Sequence, residues 1–186
     1  MEKLIFQSPK ARCENDVLDF AEDFVKNGSK MNGANKLQDY LNKNNYEEWV
    51  EKEENGTNYL SIGSEQIPAN TFFVYRLDDN KLIGIVNIRS ELNDHLLLKG
   101  GHIGYSVRPS ERRKGYATEI LRIDLRELMK IGITKALITC DKDNIGSAKT
   151  IQNNNGILEN EIFDKDKNRI IQRYWIESKK INANAP

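Results

Sequence analysis

The sequence predicts one domain of the α+β class built on a mixed sheet, on three observations. Two β-branched and aromatic runs, Thr71-Phe72-Phe73-Val74-Tyr75 and Leu82 to Ile88, flank the turn-forming cluster Asp78-Asp79-Asn80-Lys81, as a hairpin requires. Strand, amphipathic helix and strand then follow within about 40 residues between His102 and Cys140, the order of a βαβ unit with parallel strands and a right-handed crossover. Two more strand-like runs close the chain, and no repeat, Pro-rich linker or low-complexity tract divides its 186 residues.

Each element has its own signal. Leu4-Ile5-Phe6, stopped by Pro9, reads as an edge strand. From Glu14 to Val25, Val17, Leu18, Ala21, Phe24 and Val25 recur at helical spacing between carboxylates. The Asn-Gly pairs at 27–28 and 32–33 break that helix, and short helical stretches follow at Leu37–Leu41 and Tyr46–Glu53. After the hairpin, Ser90–Lys99 is a connector able to carry one helical turn, and it ends at Gly100-Gly101. His102 to Val107 is the next strand, stopped by Pro109. Ala117, Ile120, Leu121, Leu125 and Leu128 form the apolar face of a helix running to Met129, interrupted only by Asp124, with Gly132 as its stop. Ala136 to Cys140 is apolar enough for a strand covered on both faces. A helix from Ser147 to Asn153 ends at Asn155-Gly156, and the strands Ile157–Phe163 and Arg169–Ile176 are joined by the charged turn Asp164–Asn168. The domain is expected to span 1–178, with a frayed tail at 179–186.

Composition excludes several classes. Lys plus Arg equals Asp plus Glu at 28 each, so no overall field draws the chain to nucleic acid or an anionic membrane. Two cysteines, Cys13 and Cys140, lie far apart without metal-ligand spacing, so neither a disulfide framework nor a metal site is expected. No run reaches the roughly 20 apolar residues that span a bilayer, and the N-terminus lacks a signal-peptide core. The expectation is a cytoplasmic protein.

The chemistry concentrates where the strand at Val107 passes into the helix. A helix start presents unpaired N–H groups and the positive end of the macrodipole. Gly115 and the small Ala117 let an anion approach the backbone, and Arg112, Arg113 and Lys114 add local positive charge in a neutral chain. The ligand this suits is a phosphate or pyrophosphate. A helix start with solvated basic residues is an equally good account of those residues alone. The loop is neither a Walker P-loop nor a Gly-x-Gly-x-x-Gly fingerprint.

The stretch from Ile103 to Thr118 resembles the acetyl-CoA motif of the GNAT superfamily of N-acetyltransferases, Gln/Arg-x-x-Gly-x-Gly/Ala, with Arg112, Gly115 and Ala117 in place. Asn144 and Ser147 resemble that superfamily's Asn-x-x-Ser/Ala element, and the order of elements agrees over about 70–177. Asn87 to Leu96, followed by Gly100 to Tyr105, is similar to a subgroup of acetyltransferases assigned by prediction.

The resemblance implies a mostly antiparallel sheet with a parallel, splayed central strand pair. It implies acetyl-CoA as cofactor, with main-chain groups around Tyr105, Ser106 and Val107 along the pantetheine and the loop Arg112 to Thr118, Tyr116 included, at the pyrophosphate. Asn144 and Ser147 would face the pantetheine arm. It implies direct transfer of an acetyl group to a primary amine of a small molecule or protein, and it is compatible with a homodimer. A CoA-binding regulatory module on the same fold is the alternative.

Catalytic groups are less determined. Glu91 is the candidate base, with Asp94 and His102 behind it, while Arg89 and Asn93 are candidates for a substrate carboxylate or amide. The superfamily's usual acid, a tyrosine in the helix after the second cofactor strand, is replaced by Ile151, so that either the thiolate leaves without that donor or Tyr105, Tyr116 or Tyr174 supplies the proton. Cys140 is expected to be a core residue.

Overall fold

The computed structural model describes residues 3–11, 14–54, 59–62 and 65–177. Cys13 and the 179–186 tail lie outside the described residues. The strands are β1 (Leu4–Gln7), β2 (Tyr59–Ile62), β3 (Glu65–Arg76), β4 (Lys81–Arg89), β5 (Ile103–Val107), β6 (Lys135–Asp141), β7 (Ile157–Asp164) and β8 (Arg169–Glu177). The helices are α1 (Glu14–Lys26), α2 (Leu37–Leu41), α3 (Tyr46–Glu54), α4 (Asp94–Lys99), α5 (Tyr116–Lys130) and α6 (Ile145–Asn153).

The strands form two sheets, one ordered β1-β3-β4-β5 with β2 also on β3, the other β6-β8-β7, and every ladder is antiparallel. The expected hairpin is β3–β4, but β3 starts at Glu65, ahead of the expected Thr71. Pro68 and Asn70 disguise its first half, which pairs with β2, a strand absent from the sequence expectations.

Both faces of the larger sheet are covered. Val74, Ile83, Val86 and Ile88 pack against Ile120, Leu121 and Leu128 of α5, Ile151 of α6 and Tyr174 of β8. Phe73, Tyr75, Leu82 and Ile85 pack against Val17, Phe20 and Phe24 of α1 and against Leu37, Tyr46 and Trp49. Helices α1, α2 and α3 are therefore a cover layer over one face of that sheet. Within α1 the buried face is Val17, Phe20, Ala21 and Phe24, while Leu18 and Val25, expected inside, are exposed. Spacing of 3, 4 and 7 from Val17 selects Phe20 instead.

The predicted βαβ unit is present as β5–α5–β6, but no parallel ladder joins its strands among the described residues. They are linked at one end, by an isolated bridge between Gly101 and Ile138 and by His102 N–H donating to the Leu137 carbonyl at 2.8 Å. His102 lies beside Leu137, while Tyr105 and Cys140, each three residues on, line one cleft, so the strands leave the link in the same sense and then splay. Gly101 (φ 68°) makes this possible, since a Cβ there would lie 2.3 Å from the Leu137 carbonyl oxygen.

Asn93 caps α4, its Oδ1 accepting from Leu96 N–H at 2.9 Å while its Nδ2 donates to Glu65. Asn93→Ala is therefore expected to cost about 1 kcal/mol, read as a fall in the midpoint of thermal unfolding. An unchanged midpoint would contradict the cap.

Candidate functional site

The cleft opens where β5 and β6 part, a cavity of about 210 Å3. Its walls take Asn32 and Gly33 from the loop after α1, Arg89 from β4, Lys99 and Gly100 from the end of α4, Gly104 and Tyr105 from β5, Thr139 to Asp141 from β6, Asn144 and Ser147 at the start of α6, and Arg169 from β8. Of the sequence candidates, Tyr105, Asn144, Ser147 and Arg89 meet here. Glu91 and Asp94 are exposed and outside this lining. Asn93 is outside it too, engaged as a helix cap.

The edge of β5 follows from strand parity. Arg89 N–H donates to the His102 carbonyl and Arg108 N–H to that of Ile83, so even-numbered residues of β5 bond to β4. The main-chain groups of Ile103, Tyr105 and Val107 consequently face the cleft side. Ser106 turns its own into β4 and donates its hydroxyl to the Asn32 carbonyl at 2.9 Å. The Val107 carbonyl is taken by Arg112 Nε at 3.1 Å.

That bond helps to shape the loop. Arg112 Nη1 donates to Ser29 Oγ at 3.1 Å, and the guanidinium lies 5.7 Å from the Phe24 ring centre. Burial lowers its pKa, yet it has no carboxylate partner among the described residues. Lys114 pairs with Glu111 at 2.7 Å. Glu111 also accepts Lys81 at 2.6 Å and Arg76 at 3.0 Å. Burial alone would raise its pKa, but the hydrogen bonds from Lys114 and Lys81 and the cations' charge outweigh that and hold it down to about 2. Arg113 (φ 67°) is exposed, and Gly115 (φ 87°) precedes α5 with open space where its Cβ would be. The N–H groups of Gly115 and Ala117 have no acceptor among the described residues. Tyr116, by contrast, is buried, with its hydroxyl accepting from Arg76 at 2.8 Å. Thr118 is half-buried, its carbonyl accepting from Asn154.

At the other end of the cleft, Tyr105 Oη lies 3.2 Å from Ser147 Oγ. Asn144 fixes that serine by accepting its N–H at 3.1 Å. Burial pushes the Tyr105 hydroxyl up to about 12 and the Cys140 thiol up to about 11. Ile151 is fully buried in the core, so α6 presents no acid there. His102 is a structural group, with Nδ1 accepting from Leu137 N–H at 2.9 Å and burial, helped by the nearby Arg89 charge, lowering its pKa. Tyr174 donates to Gln172 Oε1 at 2.8 Å.

Four wall elements were not expected from sequence: Asn32-Gly33, Lys99-Gly100, Asp141 and Arg169. Gly33 (φ 78°) packs on the Gly104 main chain so closely that a Cβ would lie 2.1 Å from its carbonyl oxygen. The only sequence trace of that contact is an Asn-Gly pair that reads as a turn. Among the described residues no cluster of His, Cys, Asp or Glu suits a metal, and no helix is long and apolar enough to cross a membrane.

The residues fit a CoA thioester: a free strand edge for an amide-bearing arm, and orphan N–H groups with basic neighbours for a pyrophosphate. Comparison with known proteins agrees. A family model described as an acetyltransferase (GNAT) domain matches residues 13–155. No curated protein matches by sequence. Among solved structures, the fold is similar to the microcin C7 self-immunity acetyltransferase MccE in complex with acetyl-CoA and AMP (17% identity, TM-score 0.64, covering 95% of this chain and 93% of that one). It is also similar to an acetyl transferase from Salmonella typhimurium that modifies the N-terminal serine of ribosomal protein L7/L12 (16%, 0.62, 95% of each chain). A third is a GNAT-family acetyltransferase from Bacillus anthracis (15%, 0.60, 95% of each chain). With the family model covering most of its length, this chain belongs to the GNAT acetyltransferase family, with acetyl-CoA as its co-substrate.

Proposed function

We infer that the chain acetylates a primary amine by direct transfer within the cleft between β5 and β6. The observation that carries this reading is the edge of β5 that no strand pairs among the described residues, bordering the cleft that Tyr105 and Ser147 line. When bound, acetyl-CoA supplies an activated thioester and a thiolate leaving group. Ile103, Tyr105 and Val107 offer main-chain groups to its arm, and Asn144 and Ser147 border it from α6. Gly115 and Ala117 offer N–H groups to the pyrophosphate, with Arg112, Arg113 and Lys114 as its basic surroundings. Tyr105 takes the acid role left open at Ile151, holding its proton at Oη against the cleft. Cys140, with its thiol pK raised, stays protonated, which favours direct transfer over a cysteine-bound acyl group. The acceptor is a small molecule or a protein amine.

The test is release of CoA from acetyl-CoA in the presence of a panel of primary amines. Amine-dependent release is expected; binding of acetyl-CoA without release for any amine would leave only a binding module. Gly115→Glu is expected to weaken acetyl-CoA binding at least tenfold, about 1.4 kcal/mol, because it sets a carboxylate at the anion site. Wild-type affinity in calorimetry would move the pyrophosphate elsewhere.

A further inference from the structure

We propose that the acceptor amine belongs to an amino-acid-like molecule, and that Arg89 binds its carboxylate. This inference rests on the acetyl-transfer reading of the same cleft. Among the described residues, three cations line the cleft: Arg89, Lys99 and Arg169. Two of them are neutralised by the protein. Lys99 reaches Asp164 and Asp166, both at 2.9 Å, and Arg169 grips Asp141 through Nη1 at 2.6 and 2.7 Å and Asp164 through Nε at 3.3 Å. Arg89 is only 8% exposed and has no carboxylate partner among the described residues.

Its donors are partly assigned. Nε donates to Asn87 Oδ1 at 2.9 Å, and Nη1 to the carbonyls of Gly100 at 3.1 Å and Gly101 at 2.9 Å. Nη2 has no hydrogen-bond acceptor among the described residues. It rests against Gly104, where a Cβ would come within 2.8 Å, immediately before Tyr105 on the cofactor strand. Burial lowers the Arg89 pKa, but only to about 10, so the group remains a cation at neutral pH. An unpaired buried cation is costly, and an entering anion relieves that cost.

One unpaired charge with one free nitrogen suits a monoanion such as a carboxylate. Its position beside Gly104 sets the anion within a few bonds of an amine held near Tyr105. A purely structural arginine, tying Gly100-Gly101 to β4, would explain Nε and Nη1. It leaves unexplained the free Nη2 and the missing counter-charge.

The experiment compares free acids with their carboxamides. Rates with acetyl-CoA are measured for alanine, serine and glutamate and for the corresponding α-carboxamides. Binding of the N-acetylated acids and amides to the CoA-bound full chain is followed by calorimetry, where no amine titration enters. The acids are expected to bind and react at least tenfold better than the amides, and in Arg89→Met both ratios are expected to fall to about one. Arg89→Lys is expected to retain part of the preference, and the wild-type acid-to-amide ratio stands as a test even if Arg89→Met does not fold. Equal handling of acids and amides by the wild-type protein overturns the inference, as does an Arg89→Met variant that loses both alike. Turnover of amines with no acid preference defeats this inference and leaves acetyl transfer standing. Acid-selective binding without turnover of any amine defeats the acetyl-transfer reading and with it the acceptor half of this inference, and leaves only the carboxylate site at Arg89.

Discussion

Tyr105→Phe is expected to lower kcat by roughly 100-fold, about 2.7 kcal/mol in barrier, with little change in acetyl-CoA affinity. The hydroxyl stands in the cleft 3.2 Å from Ser147 Oγ, and the family's usual acid position is a fully buried isoleucine, so the phenylalanine variant keeps the ring and removes the proton. Because the folded-state hydroxyl is raised to about 12, it stays protonated through neutral and mildly alkaline pH. No alkaline loss of rate due to this group is therefore expected below about pH 11. Ser147→Ala, which removes only the hydroxyl's partner, is expected to have the smaller effect. Steady-state rates at saturating acetyl-CoA decide the matter, and a Phe variant with undiminished kcat removes Tyr105 from the acid role.

Asp124→Leu is expected to stabilise the protein at pH 7 by about 2–3 kcal/mol, or roughly 5–10 °C in unfolding midpoint. Asp124 sits on the inner face of α5 among Ile120, Leu121, Leu125 and Leu128, is 0% exposed, and neither carboxyl oxygen has a partner among the described residues. Burial first, and then the charge of Glu127, raises its pKa well above the ordinary 3.8. The sign follows from linkage. Above pH 3.8 the unfolded chain ionises this group while the folded chain holds it neutral, so stability is lost as pH rises towards the folded pKa, at up to about 1.4 kcal/mol per pH unit. The advantage of the leucine variant should accordingly be smallest near pH 4 and larger at pH 7. Denaturant unfolding at both values tests this, and a leucine variant less stable than wild type at pH 7 would show that Asp124 has a stabilising partner.

These two positions show how far a linear reading reaches. Asp124 was visible as a break in an apolar stripe, but whether it turned outward or inward depended on the helix's rotation against β5 and α6. Ile151 was legible as a departure because it sits at a fixed spacing from Asn144. That Tyr105 comes to Ser147 was not legible, since their 3.2 Å approach joins a strand to a helix across the cleft.

Local order was decided by the sequence itself. The hairpin, the strand–helix–strand unit and the glycine-led helix start all depend on neighbours within one element or one turn, where periodicity, Gly and Pro act directly on the backbone. The splay of β5 and β6 was implied by the family resemblance, but the tertiary structure alone decided that they meet at Gly101, His102, Leu137 and Ile138. It also decided that Phe20 rather than Leu18 faces the core, that the N-terminal third brings Gly33 against Gly104, and that Arg89 lies buried without a carboxylate among the described residues while Lys99 and Arg169 find theirs. The reason is physical: burial, charge pairing and the open edge of a strand are sums over groups far apart in the chain. They acquire values only when packing brings those groups together.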